Sequence, residues 1–148
     1  MTLSPADRLD ILDLLTRADA AASARDPDAY LALFTSDAVL DGDQGDYRGT
    51  AALRRGLAAV WGAEPAGTLH LTLNPVIEAG PAAAGTAVAR SVLLIIAPGP
   101  PPALAATARV TQLLRAGARG WKISRRTVET GGHAVLAVPP PTKPAEEP

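Results

Sequence analysis

From Gly67 to Thr130 the chain is written almost entirely in β pattern, and the breaks within that stretch are too short to do more than reverse direction. Four segments, 68–79, 85–97, 104–116 and 119–130, read as strands. They are separated by Gly80-Pro81, Pro98-Gly99-Pro100-Pro101-Pro102 and Gly117-Ala118-Arg119-Gly120, which are turn and breaker sequences. Parallel neighbours need a crossover of about a dozen residues or more, so strands joined this tightly pair antiparallel. The expectation is a meander of four long strands.

Helical signals come first. Ser4 is placed to cap a helix, Pro5 suits its first position, and Asp7 favours the positive end of the dipole. Apolar residues follow at Ile11, Leu12, Leu14, Leu15, Ala18 and Ala22, which is helical spacing. Arg25-Asp26-Pro27-Asp28 breaks the pattern. Asp26 is expected to cap a second short helix through Tyr30, Leu31 and Phe34. A short strand is expected at 37–41, a turn at 42–46, and a third helix capped by Thr50 with Leu53, Leu57, Val60 and Trp61 on one face. Helices before strands argue for an α+β domain, its helices packed on one sheet face.

The 148 residues suit a single domain over 1–130. Beyond it, 131–148 reads as a Pro-rich tail: Gly131-Gly132 is a hinge, His133 to Val138 a weak strand, and Pro139 to Pro148 a stretch that cannot pack a core, so the tail is expected to be disordered. A formal charge of −1 gives no field for nucleic acid and no polybasic membrane patch. There is no cysteine, so disulfides and thiolate metal sites are excluded. The longest apolar run, 92–97, is too short to span a bilayer. The first eight residues have no signal-peptide pattern, which makes the cytoplasm the expected compartment.

The first long strand carries the chemistry. Alternation puts His70, Thr72, Asn74 and Val76 on one face and Leu69, Leu71 and Leu73 on the other. The leucine face is expected in the core. Histidine is the side chain best suited to moving a proton near neutral pH, so a sheet face displaying one points to a pocket. Asp19, one helical turn before Ser23, is the candidate partner that would orient His70 as a His–Asp dyad. Asn74 is a candidate donor to a substrate carbonyl, or else marks a strand bend before Pro75. Tyr30 and Trp61 are candidates for the pocket mouth, and Asp41 for a pocket-facing strand position. Arg90 and Arg109 each interrupt an apolar strand. Arg109 is the candidate for a ligand carboxylate or enolate, unless both lie on the outer face paired with Glu78 or Glu129. Asp41, Asp43 and Asp46 do not make a calcium loop, because Gly45 and Ala52 stand where ligands are needed. His133 has no second histidine at ligand spacing. Phosphate-loop and nucleophile-elbow motifs are lacking, and neither metal nor cofactor is expected.

Taken together, Asp10-Ile11-Leu12-Asp13-Leu14-Leu15, Arg25-Asp26, Tyr30 to Val39, Gly49, His70 to Asn74 and Gly120-Trp121-Lys122-Ile123-Ser124-Arg125-Arg126 resemble the SnoaL-like branch of the nuclear-transport-factor-two-like superfamily over roughly 5–130. The resemblance implies a cone-shaped α+β barrel, a curved antiparallel sheet wrapped around the N-terminal helices, with an apolar pocket in its open end. It also implies a homodimer through the outer sheet face. Relatives include dehydratases, isomerases, polyketide cyclases and epoxide hydrolases, along with non-catalytic binding and assembly domains, so fold alone does not choose the function. The branch often has tyrosine where this chain has Ala18, aspartate where it has Ser23, and aspartate near Thr111. The reading is a lyase, isomerase or cyclase acting on an apolar, oxygenated, polyketide- or steroid-like compound through His70. The alternative is a non-catalytic ligand-binding or assembly domain on the same fold.

Overall fold

A computed structural model describes residues 2–43, 45–81 and 84–130; the expected tail beyond Thr130 lies outside the described residues. The elements in order are α1 (Pro5–Ala24), α2 (Pro27–Leu31), β1 (Phe34–Gly42), β2 (Tyr47–Arg48), α3 (Thr50–Ala63), β3 (Leu69–Ala79), β4 (Thr86–Ala97), β5 (Ala103–Gly117) and β6 (Gly120–Thr130).

The local signals act as expected at the chain's start. Ser4 Oγ accepts from the Asp7 N–H at 3.1 Å while the Asp7 carboxylate accepts from the Ser4 N–H at 3.0 Å, a reciprocal cap. Asp26 caps α2 by accepting from the Ala29 N–H at 3.0 Å. Two boundaries differ. Phe34 opens β1 instead of ending α2, because α2 stops after five residues. The cap of α3 is Gly49 at φ 79°, and Thr50 is already its first helical residue. A positive φ suits glycine, and it leaves the end of α3 without a side-chain cap.

β3 to β6 form the expected meander within one residue of the expected ends. The sheet order is β2-β1-β6-β5-β4-β3. β1 pairs with β6 in parallel, so the sheet is mixed where an antiparallel one was expected; the chain leaves β1 through β2, α3 and the whole meander before returning beside it, a crossover ample for parallel pairing. The sheet is curved and unclosed, with β2 and β3 as its edges, and the architecture is α+β.

α1 lies across the concave face, against β3 and β6. Its buried stripe, Ile11, Leu14, Leu15, Ala18, Ala21 and Ala22, meets Ala87, Ala89, Leu114 and Ile123 from the sheet. The alanines on both sides let helix and sheet approach closely. Truncating a fully buried member such as Ile123 to alanine costs about 2–5 kcal/mol.

One expectation about β3 is inverted. Its faces alternate as the sequence dictates, but Leu69, Leu71 and Leu73 are exposed on the outer face, and His70 is buried on the inner one. The alternation then breaks at Asn74, whose φ is 50°. The pairing steps from Leu73↔Val92 to Val76↔Arg90, which leaves one extra residue in β3 and makes a bulge. Beyond it the inward parity changes, so Ile77 is buried and Val76 exposed.

Candidate functional site

The open end of the sheet holds a cavity of about 500 Å³, within the range of small-molecule pockets. Leu40, Leu57, Val60, Leu93, Ile95 and Val128 supply apolar walls. Asp19, Tyr30, Glu64, His70 and Arg126 bring polar groups to it from five different elements or their ends.

His70 is 7% exposed, and its Nε2 lies 2.8 Å from Glu64 Oε2. Glu64 is the residue that ends α3, with an extended backbone that turns the chain toward β3. Arg25 pins that turn: at the left-handed end of α1 (φ 55°), it donates to the carbonyls of Glu64 at 2.7 Å and Pro65 at 2.5 Å. A carboxylate beside Nε2 selects the tautomer with its proton there, leaves the Nδ1 lone pair free, and offsets the charge when imidazolium forms. Glu64 thus takes the place expected for Asp19.

Asp19 lines the cavity, yet both its oxygens are engaged elsewhere. Oδ2 accepts from the Thr72 N–H at 2.6 Å and Oδ1 from the Thr72 hydroxyl at 2.9 Å. One turn on, Ser23 Oγ accepts from the His70 N–H at 2.9 Å. β3 is an edge strand, and its free N–H groups at 70 and 72 point away from β4. Two α1 side chains four residues apart satisfy them. Burial pushes the Asp19 carboxyl above its usual 3.8, against the Thr72 hydrogen bonds and the nearby Arg126 and His70 charges that pull it down. No hydrogen bond joins Asp19 to His70 among the described residues.

Tyr30 and Trp61 both line the cavity and meet edge to face, with centroids 5.5 Å apart. Burial raises the Tyr30 hydroxyl pKa, so the phenol stays neutral at working pH. Tyr47 reaches the cavity from β2 because Gly56 leaves room; a Cβ at Gly56 would stand 2.7 Å from the Tyr47 ring.

The structure does not bring Asn74, Asp41 or Arg109 to the cavity. Asn74 is exposed at the bulge. Arg109 is exposed on β5 opposite Glu129, and Arg90 pairs with Glu78 at 2.6 Å on the exposed surface. Asp41 binds Arg125 Nε at 3.0 Å and the Thr127 hydroxyl at 2.6 Å. Burial works against that carboxylate, but these partners hold it below the usual range.

Sequence reasoning missed two charged cavity residues. Glu64 had no periodic signal, standing between a helix end and a proline. Arg126 did have one: Arg125 and Arg126 are consecutive on a strand, so one of them had to face inward. On the third long strand, the inward position is Gln112, not Thr111; it is fully buried. Among the described residues no group of His, Cys, Asp or Glu is arranged to hold a metal, and no helix is long and apolar enough to cross a membrane.

Comparison with known proteins agrees with this fold. The model of the SnoaL-like domain family matches residues 4–127. A protein of unknown function with a cystatin-like fold from Nostoc punctiforme PCC 73102 is 27% identical, with a TM-score of 0.81 over 92% of this chain and 99% of that one. ActVI-ORFA from Streptomyces coelicolor has the same fold at 20% identity, with a TM-score of 0.72 over 83% and 96% of the two chains. A Novosphingobium aromaticivorans protein, provisionally assigned as a scytalone dehydratase, is similar at 21% identity and a TM-score of 0.71, over 85% of each chain. No curated protein matches the sequence significantly.

Proposed function

Since the chain belongs to the SnoaL-like domain family, we propose that its cavity is the active site of a small-molecule lyase, isomerase or cyclase that works by proton transfer. The observation that carries this reading is the buried His70–Glu64 pair at 2.8 Å on the wall of a largely apolar cavity. His70 Nδ1 takes a proton from the carbon next to a substrate carbonyl, and Glu64 stabilises the imidazolium that results. The apolar walls exclude water and favour a polyketide- or steroid-like ring compound. The same pair then returns the proton, either to carbon or to a departing hydroxyl.

The test is deuterium exchange in D2O on 2-tetralone, a ring ketone with acidic hydrogens next to its carbonyl, followed by mass spectrometry. The wild type is expected to incorporate deuterium faster than buffer, and His70→Ala to lose that acceleration while staying folded. Equal rates for the two proteins would remove His70 as the acid/base.

A second reading, a non-catalytic ligand-binding domain, is favoured by one feature. Ala18 and Ser23 stand where the branch often has tyrosine and aspartate, and Ser23 is spent on the His70 backbone. Retention of the ketone without exchange would support it. We also read the exposed stripe of Leu69, Leu71, Leu73 and Val92 on the outer face as the contact of a homodimer.

A further inference from the structure

Arg126 has no direct partner in the fold; the Asp19 carboxylate acts on it only through space. The arginine is 6% exposed and lines the cavity, yet among the described residues its side chain makes neither hydrogen bond nor ion pair. A guanidinium carries five N–H donors and does not lose its charge, and on this cavity wall those donors meet no acceptor of the fold, which leaves them to whatever enters the cavity. Each neighbour that might serve is engaged or unconnected. Asp19 gives both oxygens to Thr72, and Glu64 is on His70. Gln112 is directly across the strand pair from Arg126, but its carboxamide oxygen and nitrogen both lack partners, so it accepts nothing from the guanidinium. Its neighbour in sequence shows what an arginine on this strand does when a carboxylate is available: Arg125 points outward and is held by Asp41.

We propose that Arg126 anchors a carboxylate on the substrate, so that the cavity selects apolar ring compounds bearing one acid group. The proposal rests on the reading above that this cavity is the substrate site, and it adds the substrate's charge and which end of it is fixed. Three arguments select a carboxylate. The guanidinium fork matches two coplanar oxygens bidentately. The charge is buried in the resting protein, so its counterpart must be present in the bound ground state; an enolate formed only during reaction arrives too late. Arg126 is also the one Lys or Arg that lines the cavity among the described residues, which suits a monoanion better than a phosphate.

The experiment is calorimetric titration with 2-naphthoate and with 2-naphthamide, its neutral isostere. Wild type is expected to bind the acid at least about tenfold more tightly than the amide. Arg126→Gln is expected to abolish that preference by weakening the acid alone, and Arg126→Lys to retain part of it, since the charge remains without the fork. The acid preference is read without any turnover, which separates this proposal from the acid/base reading: tetralone exchange that proves independent of His70 leaves the acid preference standing. Equal affinity for acid and amide in the wild type, no binding of the acid up to millimolar concentration, or an equal loss of both ligands in Arg126→Gln would each overturn the proposal. Arg126→Gln removes a buried charge, so it is expected to fold, and an unchanged far-ultraviolet spectrum checks that.

Discussion

The two roles open to Asp19, an anchor of β3 or a partner of His70, separate cleanly on substitution. In Asp19→Ala, the Thr72 N–H and hydroxyl lose contacts of 2.6 and 2.9 Å to a partly buried carboxylate. Hydrogen bonds to charged groups are each worth about 1.5–3 kcal/mol, and a buried donor left unmade adds its own cost. Relief of the carboxylate's desolvation offsets part of this, so the net loss is about 2–4 kcal/mol. In a domain of this size that lowers Tm by roughly 10 °C. In Asp19→Asn the carboxamide oxygen still accepts from the Thr72 N–H, and the hydroxyl can turn its lone pairs toward the new NH2. The loss at neutral pH is then below about 1 kcal/mol.

The pH dependence gives a second measure with a defined sign. Burial, the largest influence on Asp19, raises its folded-state pKa above the ordinary 3.8. The folded protein therefore binds this proton more tightly than the unfolded chain does. The associated stability is fully present below the unfolded value and is lost as pH rises through the raised one. Asp7, Asp37 and Asp41 are shifted downward and slope the opposite way, so the informative quantity is the difference between wild type and Asp19→Asn, in which they cancel. Urea unfolding from about pH 3 to pH 7 should show the wild type losing stability relative to the asparagine variant as pH rises. The His70 ring, followed by nitrogen-resolved NMR, should keep its Nε2-protonated tautomer in Asp19→Asn. If instead the asparagine variant is as stable as wild type at every pH, yet slows tetralone exchange as much as loss of Glu64 does, the anchor role is wrong and the His–Asp dyad is restored.

Three further outcomes follow from the geometry. Glu64→Gln removes the charge beside Nε2, so proton transfer to tetralone should fall by about 10–100-fold while the fold persists; an unchanged rate would mean that Glu64 does not assist His70. Leu71→Asp puts a charge in the exposed leucine stripe and should yield a monomer in sedimentation velocity where the wild type is a dimer; a monomeric wild type would dispose of that interface. Gly56→Ala should force the Tyr47 ring out of its place against α3, costing about 1–3 kcal/mol in urea unfolding and weakening ligand binding in the cavity; a variant with wild-type stability and affinity would show that Tyr47 does not depend on that gap.

The long strands and the capped first helix were legible because their signals are local: Gly and Pro punctuation, alternation, and a Ser-Pro-Ala-Asp cap. The orientation of β3 was not. Hydrophobicity assigned Leu69, Leu71 and Leu73 to the core, but the inner face here is a cavity wall that carries His70, and the leucines stand exposed on the outer face. Composition alone cannot tell a core face from an interface face. The bulge at Asn74 was available as one of two readings of Asn-Pro, and the structure takes the geometric one. The parallel pairing of β1 with β6 depends on contacts more than eighty residues apart, which no local pattern encodes.

The polar site was half legible for a related reason. His70 announced itself by interrupting a strand's pattern, and Asp19 by its place on the helix stripe, so sequence reasoning joined the two unusual residues to each other. The fold joins each to something unremarkable instead. Asp19 goes to a backbone N–H that an edge strand must satisfy, because an unmade buried donor costs more than a dyad at the surface of a cavity would return. His70 goes to a glutamate at a helix end, where the chain turns and Arg25 holds the turn in place. Arg126 shows the complement. Among the described residues it is the charged cavity side chain that no other group of the fold meets directly, and a cation held largely out of water in this way is a cost to the resting protein. That predicts a trade visible without any substrate: Arg126→Met, which fills the space with an apolar chain, should raise Tm by a few degrees while abolishing the preference for 2-naphthoate over 2-naphthamide. A methionine variant less stable than the wild type would mean that Arg126 is satisfied inside the fold, through Asp19 or Gln112, and is not held in reserve for a ligand.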